Sequence, residues 1–281
     1  MNSITLKSHA KVNIGLQVLE EREDGYHDIH TVFQELEFHD TVHISKIEHG
    51  CTLSSNDENF PLNKTNTCHK AFDVLKDGGI EIDGISVHVE KSIPQGAGLG
   101  GGSSNGAAFL KGINTLYDCG LSDPEMEIMA QKIGADVPFF IIGGIQLGEG
   151  IGEKLTTIDY HDHHTFLLVI PSVSISTSWA YTTLKNHLED RVEKANFADL
   201  FRRETIPFEL FKNDFERIVI PAHPEIGEIK DSLLKNGARY ASLSGSGSTV
   251  FGMFDEDTTA KAAESKISSD YRTILTSPTQ R

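Results

Sequence analysis

A glycine-rich stretch at residues 94–105 has the residue types that bind phosphate. It contains five glycines and ends with Ser103, Ser104 and Asn105. Glycines allow backbone N–H groups to turn toward a ligand without side-chain collision, and a following helix adds about half a positive charge at its N-terminus. We therefore interpret the stretch as a phosphate-binding loop. A flexible linker is the alternative, and the amphipathic helix predicted after the loop argues against it.

The residues on either side of the loop predict a strand before it and a helix after it. Residues 85–91 alternate apolar and polar side chains, as a half-buried strand does. Residues 103–118 carry apolar side chains at helical spacing, and Gly120 follows at a position typical of a helix end. The loop is therefore expected to connect a strand to a helix N-terminus.

Two common nucleotide-binding loops do not fit this stretch. Gly96 and Gly101 have the spacing of the Walker loop, but Gly102 occupies the position of its lysine. Gly96, Gly98 and Gly101 fit the dinucleotide fingerprint, which also needs an acidic residue at the end of a second strand about 20 residues later. Asp118 is near that distance but ends the predicted helix. A nicotinamide-dependent oxidoreductase is therefore disfavoured.

Two charged residues could assist phosphoryl transfer. Asp136 lies between Gly134 and Pro138, where a helix is predicted to start, and its carboxylate could orient or deprotonate an attacking hydroxyl. The alternative role of Asp136 is an ordinary helix N-cap. Lys11 lies in an apolar strand, where a lysine usually faces solvent. If Lys11 faces Asp136, its charge would keep the carboxylate ionised and could polarise the hydroxyl.

The composition limits the partners and the compartment. The chain has 281 residues and a formal net charge of −16, which argues against a nucleic acid or an anionic membrane as the main partner. Cys51, Cys68 and Cys119 have neither disulfide nor metal spacing, so we expect free thiols in a reducing cytoplasm. We also expect no secretory leader and no membrane span, because the apolar runs are too short.

The order of the predicted elements indicates an α+β fold with two domains, 1–159 and 160–281. The first domain has strands within residues 2–48, helices after Asn66 and after a capping box at Ser122, and a hairpin within residues 144–159. The boundary is placed in a polar segment whose histidines, at 161, 163 and 164, favour a solvated linker over a metal site.

The second domain is expected to have a ferredoxin-like arrangement of strands and helices. A helix is predicted from Pro224 to the stop signal at Gly237, with Ile226, Ile229, Leu233 and Leu234 on one face. The other predicted elements are a strand at 166–170, a helix from Thr177, strands at 239–243 and 248–254, a helix at 258–268 and a strand at 271–276.

The full glycine-rich string resembles the phosphate loop of the GHMP kinases, a superfamily of small-molecule kinases. Four other segments match motifs of one branch of that superfamily, in the same order along the chain: Ala10-Lys11-Val12-Asn13, Asp24-Gly25-Tyr26-His27, residues 134–139 and residues 243–248. The resemblance implies the two-domain GHMP kinase fold. In that fold the N-terminal domain is of a type also found in ribosomal proteins and the C-terminal domain is ferredoxin-like.

The resemblance also implies an activity. It implies ATP-dependent phosphorylation of the 2-hydroxyl of a cytidine-diphosphate-linked methylerythritol, on the non-mevalonate route to isoprenoid precursors, with Mg²⁺ as the metal. A homoserine or mevalonate kinase is the alternative, and it would leave Tyr26 and His27 without a purpose. A non-catalytic nucleic-acid module is disfavoured by the charge of −16. We expect the protein to be a monomer or a weak dimer.

By the same resemblance, site residues can be assigned by position. Lys11 and Asp136 are the catalytic pair, with Asp136 as base. The substrate-binding residues are Asn13, Tyr26, His27, Asp136, Thr177 and Tyr181. The nucleotide-binding residues are Asn66, Lys91, Pro94, Gln95, Gly96, Ala97, Gly98, Leu99, Gly100, Gly101, Gly102, Ser103, Ser104 and Gly245. The magnesium ligands are unknown, with the Ser103 hydroxyl as one candidate.

Two positions depart from the family pattern. Gly106 replaces a more usual alanine, which weakens the start of the helix by up to about 1 kcal/mol. Thr67 follows Asn66 where leucine is more usual. The segment that contains Gly245, Ser244 to Gly247, has a further alternative as a plain hairpin turn.

Overall fold

The described part of the chain forms two compact units. The computed structural model describes residues 1–185, 196–203 and 205–280. The first unit comprises Met1–Ala10, Phe38–Gln95 and Gly100–Gly143. The second comprises Lys11–Glu37, Gly96–Leu99 and Gly144–Arg281. The predicted division of the sequence at residue 160 stays a prediction.

Two long strands contribute residues to both units. β1 (Ser3–Glu21) enters the second unit at Lys11, and β2 (His27–Lys46) enters the first unit at Phe38. The strands predicted within residues 2–48 are therefore confirmed. The polar residues between them form a turn, in which the N–H of Arg22 donates to the carbonyl of Tyr26 at 2.7 Å.

In the first unit, four helices pack beside paired strands. One of these strands ends shortly before the glycine loop. β3 (Gly50–Ser55) pairs in parallel with β4 (Gly84–Glu90), and β4 pairs antiparallel with residues 41–46 of β2. The four helices are α1 (Thr67–Asp77), α2 (Gly101–Leu116), α3 (Asp123–Gln131) and α4 (Phe139–Ile142). α2 packs against the other three, so its N-terminus is held by the unit.

Side chains cap two of these helices as the sequence predicted. The side chain of Asn66 accepts a hydrogen bond from the N–H of Cys68 at the start of α1. At α3, the Ser122 and Glu125 side chains form a capping box. Such caps satisfy N–H groups that the first helical turn leaves without partners. Both helix starts are therefore confirmed.

The second unit begins with part of β2 and a short hairpin. β5 (Ile145–Glu149) pairs antiparallel with residues 31–34 of β2 on one side and with β6 (Lys154–Thr157) on the other. This confirms the hairpin predicted within residues 144–159. Gly150 and Gly152 lie in its turn with φ values of +67° and +111°, which favour glycine.

The rest of the second unit has ferredoxin-like strand order. β7 (Thr165–Ile170), β8 (Tyr240–Leu243), β9 (Val250–Phe254) and β10 (Arg272–Thr276) form an antiparallel sheet in the order β10-β7-β9-β8. The helical elements are α5 (Thr177–Lys185), α6 (Phe197–Phe201), a 3₁₀ turn (Phe208–Leu210), α7 (Glu216–Ala222), α8 (Pro224–Lys235) and α9 (Asp257–Ile267). The predicted α+β class and ferredoxin-like second half are confirmed.

The predicted apolar face of α8 is nearly correct. Ile226, Ile229 and Leu233 are buried in the core of the second unit, against β8 and β9. Leu234 is 42% exposed and does not belong to this face. It follows Leu233 directly, and one residue turns a helix by about 100°, which carries the side chain away from the sheet.

Within the described ranges, none of the helices combines the length and the apolar character that crossing a bilayer requires.

The histidine segment at 161–164 is partly buried, in contrast to the solvated linker expected from sequence. Asp162 is 4% exposed and accepts hydrogen bonds from the backbone N–H and from the ring Nδ1 of His164, at 2.9 and 2.6 Å. Nε2 of His164 lies 3.2 Å from the carboxylate of Asp255. Burial by itself lowers the pKa of His164. The hydrogen bond and charge of Asp162, together with the charge of Asp255, outweigh burial, so that pKa lies above its ordinary value.

A raised pKa makes the contribution of His164 to stability depend on pH. The contribution is complete below the unfolded-state pKa of about 6.5 and is lost as the pH rises through the folded-state pKa. We expect His164→Gln to lower the free energy of unfolding more at about pH 5.5 than at about pH 8.5. Denaturant unfolding at both pH values measures this, with the exposed neighbour in His163→Gln as control. An equal loss at both pH values would contradict the prediction.

Candidate active site

The first half of the glycine loop, Gly96–Leu99, is held in the second unit by backbone hydrogen bonds. The N–H of Lys11 donates to the carbonyl of Leu99 at 3.0 Å, and the N–H of Thr249 donates to the carbonyl of Ala97 at 3.2 Å. Gly96 and Gly98 have φ values of +67° and +78°. A flexible linker would lack these specific bonds.

A second glycine-containing segment, Ser244 to Gly247, packs directly against the first. It connects β8 to β9 as a turn, in which the N–H of Gly247 donates to the carbonyl of Ser244. The Ser244 hydroxyl donates to the carbonyl of Gly98 at 2.9 Å. A Cβ added at Gly98 would lie 2.1 Å from the carbonyl oxygen of Ser244. The segment is therefore a hairpin turn and also the immediate neighbour of the glycine loop.

Lys11 is buried, although a mid-strand lysine usually faces solvent. Its side chain is 4% exposed, and Nζ donates to Oδ1 of Asn13 at 2.7 Å. Nδ2 of Asn13 donates to the hydroxyl of Thr31 at 3.0 Å, and Thr31 donates to the carbonyl of Gly15 at 2.6 Å. This chain of hydrogen bonds holds the ammonium group at a defined position inside the second unit.

Gly245 brings the second glycine segment next to Lys11 and Asn13. A Cβ added at Gly245 would lie 3.6 Å from Nζ of Lys11 and 3.6 Å from Oδ1 of Asn13. The side chain of Asn213 donates to the carbonyl of Gly245 at 2.8 Å and so holds the segment in place. A buried ammonium beside glycine backbone is suited to an anionic ligand, because it supplies charge at a close approach.

His27 and Tyr181 form a ring pair in the second unit. Their centroids are 5.3 Å apart with the planes tilted by 33°. The ring of Tyr181 also packs edge-on against the buried Phe215 at 4.9 Å, which orients it. Nε2 of His27 is buried and has no hydrogen-bond partner among the described residues. Buried polar atoms are usually hydrogen-bonded, so this nitrogen is suited to a polar ligand edge.

The structure places the other predicted substrate residues at more open positions. Tyr26 is 58% exposed in the turn between β1 and β2. Thr177 begins α5, and its hydroxyl lies 3.2 Å from that of Ser246 in the second glycine segment. The structure thus brings Thr177 to the glycine segment and Tyr181 to His27, and it does not bury Tyr26.

In the first unit, the second half of the glycine loop forms the N-terminus of α2. Gly100 precedes the helix with φ of +70°, and no side chain caps it. The first turn contains no acidic residue. The N–H groups of a first helical turn have no partners within the helix, so an uncapped N-terminus without negative charge favours an anion.

The glycines and serines of this first turn differ in how much free space surrounds them. Gly102 is exposed and has no heavy atom within 4 Å of an added Cβ. An added Cβ at Gly101 would lie 2.9 Å from the Ile93 side chain. The hydroxyl of the buried Ser104 accepts a hydrogen bond from Ser8 at 2.8 Å, whereas Ser103 is half-buried. Ser103 is therefore the serine with the more accessible hydroxyl.

The two departures from the family pattern lie in contact with each other. The Thr67 hydroxyl donates to the carbonyl of Gly102. An added Cβ at Gly106 would lie 3.0 Å from the Cβ of Thr67. The absence of a side chain at Gly106 therefore allows α1 to approach α2 closely enough for the Thr67 hydrogen bond.

Three predicted nucleotide residues of the first unit already have protein partners. Nδ2 of Asn66 donates to the carbonyl of Pro61 at 2.7 Å, in addition to the cap that Asn66 forms. Nε2 of Gln95 donates to the carboxylate of Asp57 at 2.9 Å, and this bond is the main reason that the pKa of Asp57 is lowered. Nζ of Lys91 pairs with the buried carboxylate of Asp40. Their nucleotide roles stay predictions.

Asp40 is a buried site residue that no sequence motif predicts. It lies in the middle of the long strand β2 and is fully buried, yet a single aspartate in a strand is not distinctive in sequence. The signal that could have identified it is an acidic residue at a position where the strand is otherwise buried, because buried carboxylates are almost always paired.

Asp136 lies in a turn of the first unit, immediately before α4. It is half-buried, and the N-cap of α4 is Pro138, two residues later. The N-cap of α4 is thus assigned to Pro138, and the role of Asp136 stays a prediction. Because Asp136 belongs to the first unit and Lys11 to the second, their pairing stays a prediction.

Comparison with known proteins supports the motif assignment. Residues 66–144 match the family model described as the GHMP kinases N terminal domain, and residues 196–273 match the one described as GHMP kinases C terminal. A relative from Prosthecochloris aestuarii, named 4-diphosphocytidyl-2-C-methyl-D-erythritol kinase, is 36% identical over 98% of both chains. A relative of the same name from Geobacter sulfurreducens is 39% identical over 94% of this chain and 95% of its own. The chain belongs to the 4-diphosphocytidyl-2-C-methyl-D-erythritol kinase family.

Solved structures agree with this family at the level of fold. A crystal structure of 4-(cytidine 5'-diphospho)-2C-methyl-D-erythritol kinase matches with a TM-score of 0.82 and 28% identity, over 99% of this chain and 100% of that chain. The mevalonate kinase of Methanococcus jannaschii matches with a TM-score of 0.71 and 18% identity, over 99% and 98%, which shows a common fold alone. The diphosphocytidyl-methylerythritol kinase family therefore shares its fold with kinases for other alcohols.

In the glycine loop of this diphosphocytidyl-methylerythritol kinase family member, Gly98 has no space for a side chain, whereas Gly102 does. Gly98→Ala would force a Cβ to 2.1 Å from backbone, at a positive φ, and we expect it to lower the free energy of unfolding by about 2 kcal/mol or more. Gly102→Ala adds a methyl group in open space within a helix, so we expect no loss and a gain of up to about 1 kcal/mol. Denaturant unfolding of both variants measures the difference, and equal stability would show that the loop is not restrained at Gly98.

Proposed function

We propose that this protein is an ATP-dependent kinase that phosphorylates the 2-hydroxyl of 4-diphosphocytidyl-2-C-methyl-D-erythritol in isoprenoid precursor synthesis. The near-full-length relatives that carry this kinase name support the activity. The observation that carries the nucleobase part is the buried Nε2 of His27 beside Tyr181, because it offers one hydrogen-bonding atom and one ring face to a base.

ATP is the phosphoryl donor, and the glycine loop is the proposed phosphate site. The uncapped N-terminus of α2 offers backbone N–H groups and a positive helix end, without a competing acidic residue. In the second unit, the ammonium of Lys11 next to Gly245 supplies positive charge. These features suit the triphosphate chain, which carries several negative charges.

Mg²⁺ is proposed as the metal that accompanies ATP. The half-buried Ser103 hydroxyl, in the first turn of α2, is an oxygen donor of the kind that Mg²⁺ prefers. Ser103 would therefore hold the ion together with phosphate oxygens. The ion would neutralise charge on the phosphates during transfer.

Asp136 and Lys11 are proposed to assist the chemical step. The substrate oxygen forms its bond to the γ-phosphorus of ATP while the bond from that phosphorus to the β–γ bridging oxygen breaks, and ADP leaves. The hydroxyl proton passes to the carboxylate of Asp136. The Lys11 ammonium, held by Asn13, would stabilise charge on the moving phosphoryl group.

The acceptor is proposed to bind through its cytosine base at His27 and Tyr181. Thr177 and Asn13 are further polar contacts, and Tyr26 is a ring at the rim of this region that can cover the bound base. A homoserine or mevalonate kinase, the alternative from sequence, would have no use for the exposed Tyr26 and the buried Nε2 of His27.

The cysteines and the net charge bear on the compartment and the partners of this protein. We propose a cytoplasmic protein, since Cys51, Cys68 and Cys119 are free thiols, and burial raises the pKa of Cys68 to about 12, which keeps it unreactive. Small molecules are its proposed partners, and the charge of −16 disfavours nucleic acid. A monomer or weak dimer stays a prediction.

ADP release measured with a panel of alcohols tests the proposed function directly. We expect ADP release with 4-diphosphocytidyl-2-C-methyl-D-erythritol and little with homoserine, mevalonate or free methylerythritol, because only the first offers a cytosine base to His27. Equal turnover of homoserine or mevalonate would overturn the proposed acceptor.

His27→Ala should separate binding of the acceptor from binding of ATP. Loss of hydrogen bonding to a buried base edge costs about 1–3 kcal/mol, so the KM of the cytidine substrate should rise about 5-fold to 150-fold. The KM of ATP should stay within about twofold of the wild-type value, since His27 is assigned no phosphate contact. His163→Ala, at an exposed histidine, is the control. An unchanged KM for the cytidine substrate would remove His27 from the pocket.

Asp136→Asn should lower turnover rather than binding, and Lys11→Met should also lower turnover. Removing the base should reduce kcat by about 10²–10⁴, with KM values for both substrates nearly unchanged. If the two residues act as one unit, the double variant should be little worse than the poorer single variant. Fully additive losses would show that they act separately, and an active Asp136→Asn enzyme would exclude Asp136 as the base.

A further inference from the structure

The carboxylate of Asp40 is hydrogen-bonded to both ends of the glycine loop within the first unit. Oδ1 accepts the backbone N–H groups of Ser92 and Ile93, each at 2.8 Å, and these residues lead into the loop. Oδ2 accepts Nδ2 of Asn105 at 2.9 Å, and Asn105 lies in the helix that follows the loop. One fully buried carboxylate therefore joins the entry of the loop to its exit.

Side-chain packing also joins the residues before the glycine loop to the helix that follows it. Ile93 is 1% exposed, and its Cγ2 would lie 2.9 Å from a Cβ added at Gly101, the first residue of α2. Asn105 is also buried, and its Nδ2 additionally donates to the hydroxyl of Ser8 at 2.8 Å. Because Asp40 fixes the backbone at Ile93 and the side chain of Asn105, it determines where the helix N-terminus lies relative to the strand before it.

Lys91 completes the arrangement as the cation of a buried pair. Its side chain is 5% exposed, Nζ pairs with Oδ2 of Asp40, and Nζ lies 3.5 Å from Oδ1 of Asn105. A buried carboxylate needs a neutralising partner and hydrogen-bond donors, and Asp40 has both. An unneutralised carboxylate next to a phosphate loop would also repel the triphosphate of ATP.

We propose that Asp40 is a positioning residue of the phosphate loop and that Lys91 acts on ATP through Asp40, as its counter-ion, rather than as a ligand of phosphate. The inference rests on the proposed function only in that ATP binds at the glycine loop. The resemblance to the GHMP kinases implied that Lys91 itself binds the nucleotide, so the proposed role differs from the implied one. In this role, Asp40 holds the N-terminus of α2 in the position that binds ATP.

Two substitutions separate this role from a direct phosphate contact by Lys91. Asp40→Asn keeps the shape but has one acceptor oxygen, which can serve the loop entry or Asn105 and Lys91 but not both, so the link between the two ends of the loop is broken. We expect the KM of ATP to rise about tenfold or more, with the KM of the cytidine substrate within about twofold. Lys91→Met leaves the Asp40 bonds to Ser92, Ile93 and Asn105 but removes the charge that neutralises the carboxylate, so we expect it to raise the KM of ATP as well. Because Lys91 acts through Asp40 in this proposal, adding Lys91→Met to Asp40→Asn should raise that KM no further, whereas a lysine that is itself a phosphate ligand would add a further rise.

Amide hydrogen exchange supplies a second measurement that does not depend on turnover. The amides of Ser92 and Ile93 should exchange faster in Asp40→Ala, which has no acceptor, and remain protected in Lys91→Met. Asn105→Ala removes only the bond to the loop exit, so it should raise the KM of ATP in the same direction by a smaller factor. This variant tests the proposal if Asp40→Asn does not fold.

Asp162→Asn is the matched control, because Asp162 is also a buried carboxylate that accepts hydrogen bonds from a backbone N–H and from the basic side chain of His164. It should lower stability without a selective change in the KM of ATP. Wild-type ATP binding in Asp40→Asn together with wild-type exchange at Ser92 and Ile93 in Asp40→Ala would overturn the proposal, as would a further rise in the KM of ATP when Lys91→Met is added to Asp40→Asn. A wild-type enzyme that binds ATP but does not use the cytidine substrate would refute the proposed function and leave this test intact.

Discussion

The close approach of Gly98 to the carbonyl of Ser244 is the constraint on which the arrangement of the second unit depends. No side chain fits between them, since a Cβ at Gly98 would lie 2.1 Å from that oxygen. The Ser244 hydroxyl and the backbone bond from Lys11 to Leu99 fix the same segment from two more directions. Two glycine segments that are far apart in sequence thus lie together. The contact also places Gly245 beside the ammonium of Lys11.

Buried polar groups hold the charged residues in place. A lysine and an aspartate are costly to bury, and each is buried here with hydrogen-bond partners. Lys11 is supported by Asn13 and, through it, by Thr31. Asp40 is supported by backbone amides, Asn105 and Lys91. Each unit therefore contains a rigid polar network next to its part of the glycine loop, which suits groups that must be oriented before a ligand binds.

The His27–Tyr181 pair has a different character. Tyr181 is oriented by Phe215 and His27 by its ring contact with Tyr181, so the rings are positioned by packing rather than by hydrogen bonds. Packing leaves Nε2 of His27 available for specificity, whereas a hydrogen-bonded network would use it within the protein. A base is recognised by both its face and its edge, and this pair offers a partner for each.

Local patterns in the sequence determined much of the fold and the order of the motifs. The Asn66 cap, the Ser122 capping box, the hairpin near residue 150 and the start of α8 at Pro224 depend on residues within a few positions of each other, and all were predicted. The glycine loop and the family could be identified for the same reason. Only the tertiary structure decided which polar residues are buried. Lys11, Asp40 and Asp162 are buried because distant parts of the chain cover them, and Asp40 also takes its hydrogen-bond partners from residues more than 50 positions away. No spacing along the sequence records that burial.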